Sequence, residues 1–520
     1  MHSQNRDASH NRWLRGSWSG GVRRTLPDVT LSAPMNPASR SCFWEGGIRL
    51  LDLSIVNRRQ FLAGLTSFSA WEPADALPRA GGYQGIWYFN QPTTDQYRYK
   101  YSGGFATYPQ QHAPIAIYSP EARKTFFCYG GIQGGRQELL HCVSYYDHRR
   151  HAVPRPVILL NKQTEDAHDN PVLSIDAEGY LWVFSNSHGQ SRPSFIHRSR
   201  RPFSIDSFER IAETNFSYGQ PWHLRGRGFL FLHTRYRSAT GMGTETGRAL
   251  YQMTSPDGRA WSEPRELAFA LRGHYQISWR REDRIGTAFN VHPPPLGLNQ
   301  RTNLYYMETA DGGATWRTAS GAPADLPVRS EEHATLVRNY RTEGLLVYLK
   351  DLQFDPQGRP AIVHLTSRGF EPGPASGPRH LRLARWTGTE WAFSTICPVD
   401  HNYDHGSLYI EEEGRLWRFL GPAGPGPQPW AAGGEIEEWV SRDSGQTWSK
   451  RRELTRRSRY NHTYLRRPLN AHPEFYALWA DGDPLELSPS SLYFANRNGD
   501  VFRLPFTMRR EEEEPERLRI

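Results

Sequence analysis

Cysteine is scarce in this chain, with four residues in 520, at positions 42, 128, 142 and 397, and no C-x-x-C pair. That spacing argues against a disulfide framework and a thiolate zinc site. Cys128 and Cys142 could face each other on neighbouring strands, but as buried thiols they need no partner. No run of eighteen apolar residues occurs, which excludes a hydrophobic helical span. No sustained 3.6-residue apolar period occurs either, so helices should be few and short. The G-x-S-x-G, G-K-[ST] and H-E-x-x-H patterns are all missing, which argues against a serine-nucleophile hydrolase, a P-loop enzyme and a zincin. The formal charge is +9, and nine arginines against four acids in residues 1–59 supply +5 of it. The body therefore lacks the concentrated basic stripe that nucleic-acid binding needs, and its mild positive excess only weakly favours an acidic ligand.

What the chain does have is aromatics, at 13 % with 17 Trp, set in short strand-like runs. From Gly81 to Pro505, runs such as 181–184 (LWVF), 229–234 (FLFLHT) and 475–479 (FYALW) alternate with Gly, Pro, Asp and Asn turns. This texture predicts an all-β fold. Over four hundred residues of short strands exceed one sandwich, so radial repetition of four-stranded antiparallel sheets, a β-propeller, is the economical solution. Three segments share the form [ST]-x-D-x-G-x-x-W, the first one residue short: 255–261 (SPDGRAW), 309–316 (TADGGATW) and 441–448 (SRDSGQTW). In each, Asp caps a tight turn, Gly takes the positive-φ position and Trp pins the turn to its sheet. Degenerate copies at 176–182 and 411–417 fit other blades. Seven blades of roughly 60 residues each are expected, with six to eight fitting the length.

Residues 1–56 show no element and read as a disordered or misannotated leader. From Asn57 the run NRRQFLAGLTSFSA resembles a twin-arginine export signal, with Ala74-Asp75-Ala76 as a small-residue cleavage site. On that reading 57–80 directs export to the periplasm or beyond, 81–508 forms the propeller, and 509–520, with four consecutive Glu, is a solvated charged tail.

Candidate chemistry begins at 166–198. A strand to Ile175, a turn over 176–179 and a strand to Ser185 form a hairpin with His168 just before it and His188 just after, so both imidazoles should share one end of a sheet. Asn170 lies beside His168. The next segment repeats the plan: Tyr218 precedes a strand beginning near Trp222, and its partner strand, read as ending at Thr234, delivers Arg235 to the same end. His274 and Tyr275 precede a third such strand. For metal, His401, Asp404 and His405 crowd into DHNYDH (400–405), and the loops 470–473 (NAHP) and 331–334 (EEHA) add ligand types. A structural zinc or calcium would suit these loops, and no cofactor is required.

The segments GGYQGIWYFNQP (81–92), YKYSGG (99–104), DAHDNP (166–171), NYDHGSLY (402–409) and NHTYLRRPLNAHP (461–473), in that order, resemble the BNR-repeat-containing family, whose Asp-box turns belong to sialidase-type propellers. More distantly the chain is similar to seven-bladed ulvan lyases, which cleave a sulfated, uronate-containing algal polysaccharide. The resemblance implies a bacterial polysaccharide lyase binding an acidic polysaccharide. It implies His168 as base, Tyr218 as acid or base, Arg235 as carboxylate neutraliser, and His188 and Tyr275 as substrate positioners. Asn170, His274 and Trp222 are further substrate-binding candidates. A sialidase-like glycoside hydrolase and a non-catalytic glycan-binding propeller, with Trp87, Tyr88 and Trp222 stacking on sugars, are the alternatives.

Overall fold

The computed structural model describes residues 76–104, 112–238 and 246–519. Seven antiparallel sheets follow one another along the chain, each built on a four-strand meander, with the short strand Val153–Pro154 set between the third and fourth strands of the first. They span residues 116–161, 171–214, 217–268, 276–338, 346–399, 407–453 and 461–503 and are called blades 1 to 7. First strands of successive blades lie against each other, as in blades 1 and 2, 2 and 3, 4 and 5, and 5 and 6. This is the expected seven-bladed β-propeller, and the only helical elements among the described residues are five short 3-10 turns.

Each blade buries apolar side chains on both faces, which is why its strands read as near-continuous apolar runs. Trp182 and Phe184 of blade 2 pack edge-on and tilted against Phe229 and Phe231 of blade 3, with ring centroids 5.2 and 4.8 Å apart. Full burial of one such side chain contributes about 2–3 kcal/mol. The thiols of Cys128, Cys142 and Cys397 are free and buried in the same cores, and Cys42 lies outside the described residues.

The ring closes where blade 7 meets blade 1. Leu469 donates its N–H to Ala116 O (2.8 Å) and accepts from Tyr118 N (2.9 Å). Gln84 bridges to Ser491 and Gly85 to Gly131, so the strand entering the fold joins both blades. Residues 509–519, expected as a solvated extension, are paired: Glu512–Glu513 lies antiparallel to Val153–Pro154, and Glu516–Arg517 adds a fifth strand to blade 7. Ion pairs such as Arg503–Glu516 and Arg150–Glu512 hold the acidic run against basic strands.

The three D-x-G turns each follow the third strand of a blade. Asp257 accepts from the backbone N–H of Arg259 and Ala260, Asp311 from Thr315 and Asp443 from Thr447. Trp316 reaches across to the preceding blade, donating to Gln252 Oε1 at 2.8 Å. Gly258 has φ +75°, and a Cβ there would lie 2.3 Å from the Trp182 ring of blade 2.

Gly258→Ala therefore combines backbone strain with overpacking and should cost about 2–4 kcal/mol in urea unfolding. Gly134→Ala, at φ +64° with open space around it, should cost only the strain of about 1–2 kcal/mol. Equal losses would mean that the turn does not pin blade to blade.

Candidate active site

Chain segments entering the first strand of a blade meet at one face of the ring. In blade 2 that entry is a 3-10 turn, Ala167–Asp169, whose N-cap Asp166 accepts from His168 N at 3.0 Å. The Asp166 carboxylate does more than cap. Oδ1 lies 2.6 Å from His168 Nδ1 and Oδ2 lies 2.7 Å from His188 Nδ1. The two imidazoles stack with centroids 4.0 Å apart and planes within 11°. The hairpin strands, Pro171–Ile175 and Leu181–Ser185, thus bring His168 and His188 together as the sequence predicts.

This geometry sets the tautomers. A carboxylate only accepts, so both Nδ1 atoms donate to it. His168 Nε2 lies 3.2 Å from the Tyr101 hydroxyl, whereas His188 is partly exposed. Burial, then the adjacent His168, lower the pKa of His188 despite the pull of Asp166, so it is neutral at neutral pH. Burial alone would raise Asp166, but His168 and His188 hold its carboxyl well below the usual range. Arg192 adds charge from behind, 3.0 Å from Asp166 Oδ2 and bonded twice at 2.8 Å to buried Asp169.

Blade 3 supplies the opposite wall. Its first strand, Ser217–Leu224, carries an irregularity between Ser217 and Gln220, and Tyr218 there takes φ +53°. A bulge of this kind re-aims a side chain, and the Tyr218 hydroxyl comes within 3.1 Å of Tyr236 and 3.5 Å of Tyr275. The second strand runs to Ser238, past the end expected at Thr234. Alternation along it sends neighbouring residues to opposite faces. Tyr236 therefore faces the site while Arg235 turns away, its guanidinium 5.9 Å from the Tyr251 ring.

The arginine that does reach the cluster is Arg248, the cross-strand partner of Tyr236. Its guanidinium lies 4.9 Å from the Tyr236 ring and 5.4 Å from Tyr275. Among the described residues no carboxylate pairs with it, and its Nε has no hydrogen-bond partner. Arg301, donating to Tyr403 OH at 3.1 Å, stands 5.0 Å from Tyr275 on the other side. Burial favours the neutral phenol of Tyr275, but Arg248 and Arg301 outweigh it and bring its pKa below the ordinary tyrosine value. Burial raises Tyr218 and Tyr236. Tyr101 stacks on Tyr403 at 3.9 Å and so joins the two walls.

The remaining candidates sit elsewhere. His274 is buried with Nε2 accepting from Ala270 N and Nδ1 beside Asn290 O, both bonds to backbone. Trp222 is core, donating to Ser278 Oγ at 2.8 Å and packed on Trp279. Asn170 is fully buried behind the histidines, its carbonyl accepting from Asn186. Tyr88 lies 3.2 Å from His168 Nδ1 at the lip of the site.

The candidate metal ligands of 401–405 do not converge. His401 faces Lys100 O, Asp404 accepts from His401 N and Gly433 N, and His405 Nδ1 faces the buried Lys350 ammonium. Asp166, His168 and His188 do bring ligand atoms within 4.8 Å of one another. Their rings are parallel and share a carboxylate already facing Arg192, an arrangement that suits bridging better than tetrahedral ligation.

Asp166, Tyr236, Arg248 and Arg301 were not singled out from sequence. Asp166 stands two residues before His168. Tyr236 is the immediate neighbour of the residue chosen, and the correct strand end would have found it.

Residues 141–397 match the sequence profile of the BNR repeat-containing family member. The chain is similar to an ulvan lyase of Nonlabens ulvanivorans, 22 % identical over 376 residues that make up 66 % of this chain and 76 % of that protein. It is also similar to an ulvan lyase of Pseudoalteromonas sp. (strain PLSV), 25 % identical over 282 residues, 48 % of this chain and 56 % of the relative. In three dimensions it resembles a solved ulvan lyase bound to -[GlcA(1-4)Rha3S]-, with TM-score 0.62 at 17 % identity, over 81 % of this chain and 96 % of the other. That likeness shows a shared fold.

The tautomer assignment is testable by nitrogen NMR on histidine-labelled protein. His188 should show protonated Nδ1 and unprotonated Nε2 at neutral pH. In Asp166→Asn the His188 pKa should fall further, because the carboxylate that raises it is gone. A His188 protonated on Nε2, or an unchanged His188 pKa in the variant, would contradict the bridge.

Proposed function

We propose that the chain is a polysaccharide lyase that cleaves a uronate-containing, acidic polysaccharide by β-elimination. The observation that carries this reading is Arg248, a half-buried guanidinium without a carboxylate partner, set between phenols and facing neutral His188. Similarity to ulvan lyases supports the same reaction class and an acidic polymer as substrate.

Elimination removes the C5 proton of the uronate, forms the C4–C5 double bond and breaks the C4–O bond, and the departing oxygen takes up a proton. The C5 proton is too weakly acidic while the carboxylate beside it keeps its full charge. A guanidinium paired with that carboxylate stabilises the developing enolate, which is where electrostatic catalysis has most effect. Arg248 takes this role, with Arg301 behind it. His188 Nε2, neutral and outward, accepts the C5 proton. Tyr236, against His188 at 5.8 Å and hydrogen-bonded to Tyr218, returns one to the leaving oxygen. His168 positions His188 by stacking, and Tyr218 and Tyr275 share the proton through their hydroxyl contacts.

The hydrolase alternative needs a Tyr–Glu pair at the site. The Tyr–Glu side-chain hydrogen bonds seen among the described residues, Tyr251–Glu266, Tyr306–Glu308 and Tyr476–Glu411, lie outside the cluster. A polymer substrate fits the export expected from Arg58-Arg59. That segment lies outside the described residues. No helix among them is long and apolar enough to cross a membrane.

Incubation with glucuronate-containing polysaccharides should yield an ultraviolet-absorbing unsaturated product. Arg248→Ala should lower kcat by about 10²–10³-fold, while Arg235→Ala stays close to wild type. The acid limb of kcat/KM should lie below the ordinary histidine value of about 6.5, since His188 must be neutral to act and burial holds its pKa down. Loss of turnover in Arg235→Ala with Arg248→Ala fully active would overturn the assignment. No product across a broad panel, with binding intact, would favour a lectin.

A further inference from the structure

A second cluster of ligand-type side chains lies where the ring closes, away from the site above. His148 and His151 follow the third strand of blade 1, Arg136–Asp147, and His472 and Glu474 lie between the first two strands of blade 7, Asn461–Arg466 and Ala477–Gly482. These loops join the far ends of the strands whose near ends enter the catalytic face. Glu474 Oε2 is 3.0 Å from His148 Nδ1 and 3.8 Å from His151 Nδ1. The His148 and His472 rings approach to 4.1 Å at 60°, and His148, His472 and Glu474 bring ligand atoms within 4.8 Å of one another.

We infer that His148, His151, His472 and Glu474 form a binding site for a divalent zinc-class cation that staples blade 7 to blade 1. Three imidazoles and one carboxylate make a four-ligand set of the kind zinc takes in tetrahedral structural sites, and its nitrogen content disfavours calcium or magnesium. The surroundings are arranged for it. His148 Nε2 lies 2.8 Å from Thr125 Oγ1, an outer hydrogen bond that leaves Nδ1 directed at Glu474. Metal-bound histidines characteristically hold such a bond on their second nitrogen. Tyr118 packs on both His148 and His472, with centroids 5.1 and 4.7 Å away, and Tyr146 OH stands 3.2 Å from His151 Nδ1.

His472 Nδ1 accepts from Glu474 N at 3.2 Å, a long bond that a metal would replace. Two non-glycine residues in these loops, His151 (φ +51°) and Asn470 (φ +57°), hold the left-handed conformation. Such strain persists where the surrounding structure enforces it and clusters at ligand sites. Closing the ligands onto a tetrahedral ion needs atoms about 3.3 Å apart, given bonds of about 2.0 Å. The exposed His151 and the loop bearing His472 have room for that contraction. An ion here would join segments more than three hundred residues apart in sequence, at the one junction of the ring made by its two terminal blades.

The test uses the full chain, stripped with a chelator and titrated with Zn²⁺ and separately with Co²⁺. The inference expects one equivalent of Zn²⁺ bound, a rise in melting temperature, and the intense visible Co²⁺ bands of a tetrahedral site. His188→Ala should keep all three, whereas His472→Ala and the milder Glu474→Gln should lose the bands and the thermal shift while retaining wild-type circular dichroism. No binding to the wild-type chain would overturn the inference. So would a site lost in His188→Ala and retained in the His472 and Glu474 variants, which would place the ion at Asp166.

Discussion

One carboxylate governs the candidate active site. Asp166 is anchored as a helix cap, braced by Arg192, and shared between two stacked imidazoles. Because it only accepts, it takes a hydrogen bond from both Nδ1 atoms, leaves Nε2 of the neutral His188 as a base, and keeps the two histidines in one fixed stack. Without it the rings would be free to flip, and burial would leave them without a charged partner. The proton-transfer chemistry proposed for His188 rests on that constraint more than on the histidines themselves.

Across from it, the fold assembles a positive wall. Arginines are ordinarily buried only with carboxylates, yet Arg248 faces three phenols. Phenols cost less to bury than carboxylates and leave the Arg248 charge uncancelled, which suits the anionic sugar proposed as substrate. The propeller makes this feasible because first strands of neighbouring blades converge, allowing hydroxyls from blades 3 and 4 to meet within 3.5 Å. Irregular strand geometry at Tyr218, with positive φ, aims its hydroxyl into that meeting point.

Much of this was legible in the sequence. The short aromatic strands and D-x-G turns pointed to seven four-stranded blades, and turn residues at 176–179 placed His168 and His188 at one hairpin end, because period-two patterns and turn chemistry are local. The arginine was not legible. Choosing Arg235 required knowing where its strand stops, and a one-residue difference in facing separates it from Tyr236. Arg248 sits on the next strand, and only pairing register reveals that it opposes Tyr236. Asp166 was overlooked because its role depends on two rings brought together by the hairpin. The acidic tail read as solvated because its pairing partners at 153–154 and 502–503 are hundreds of residues away in sequence.

The central claim is that the bond is broken by elimination. Mass spectrometry of the fragments released from a glucuronate-containing polysaccharide tests it most directly. Elimination predicts that the paired fragments sum to the mass of the parent, one of them carrying an unsaturated uronate. Fragments that together carry one added water would mean hydrolysis and would contradict the account.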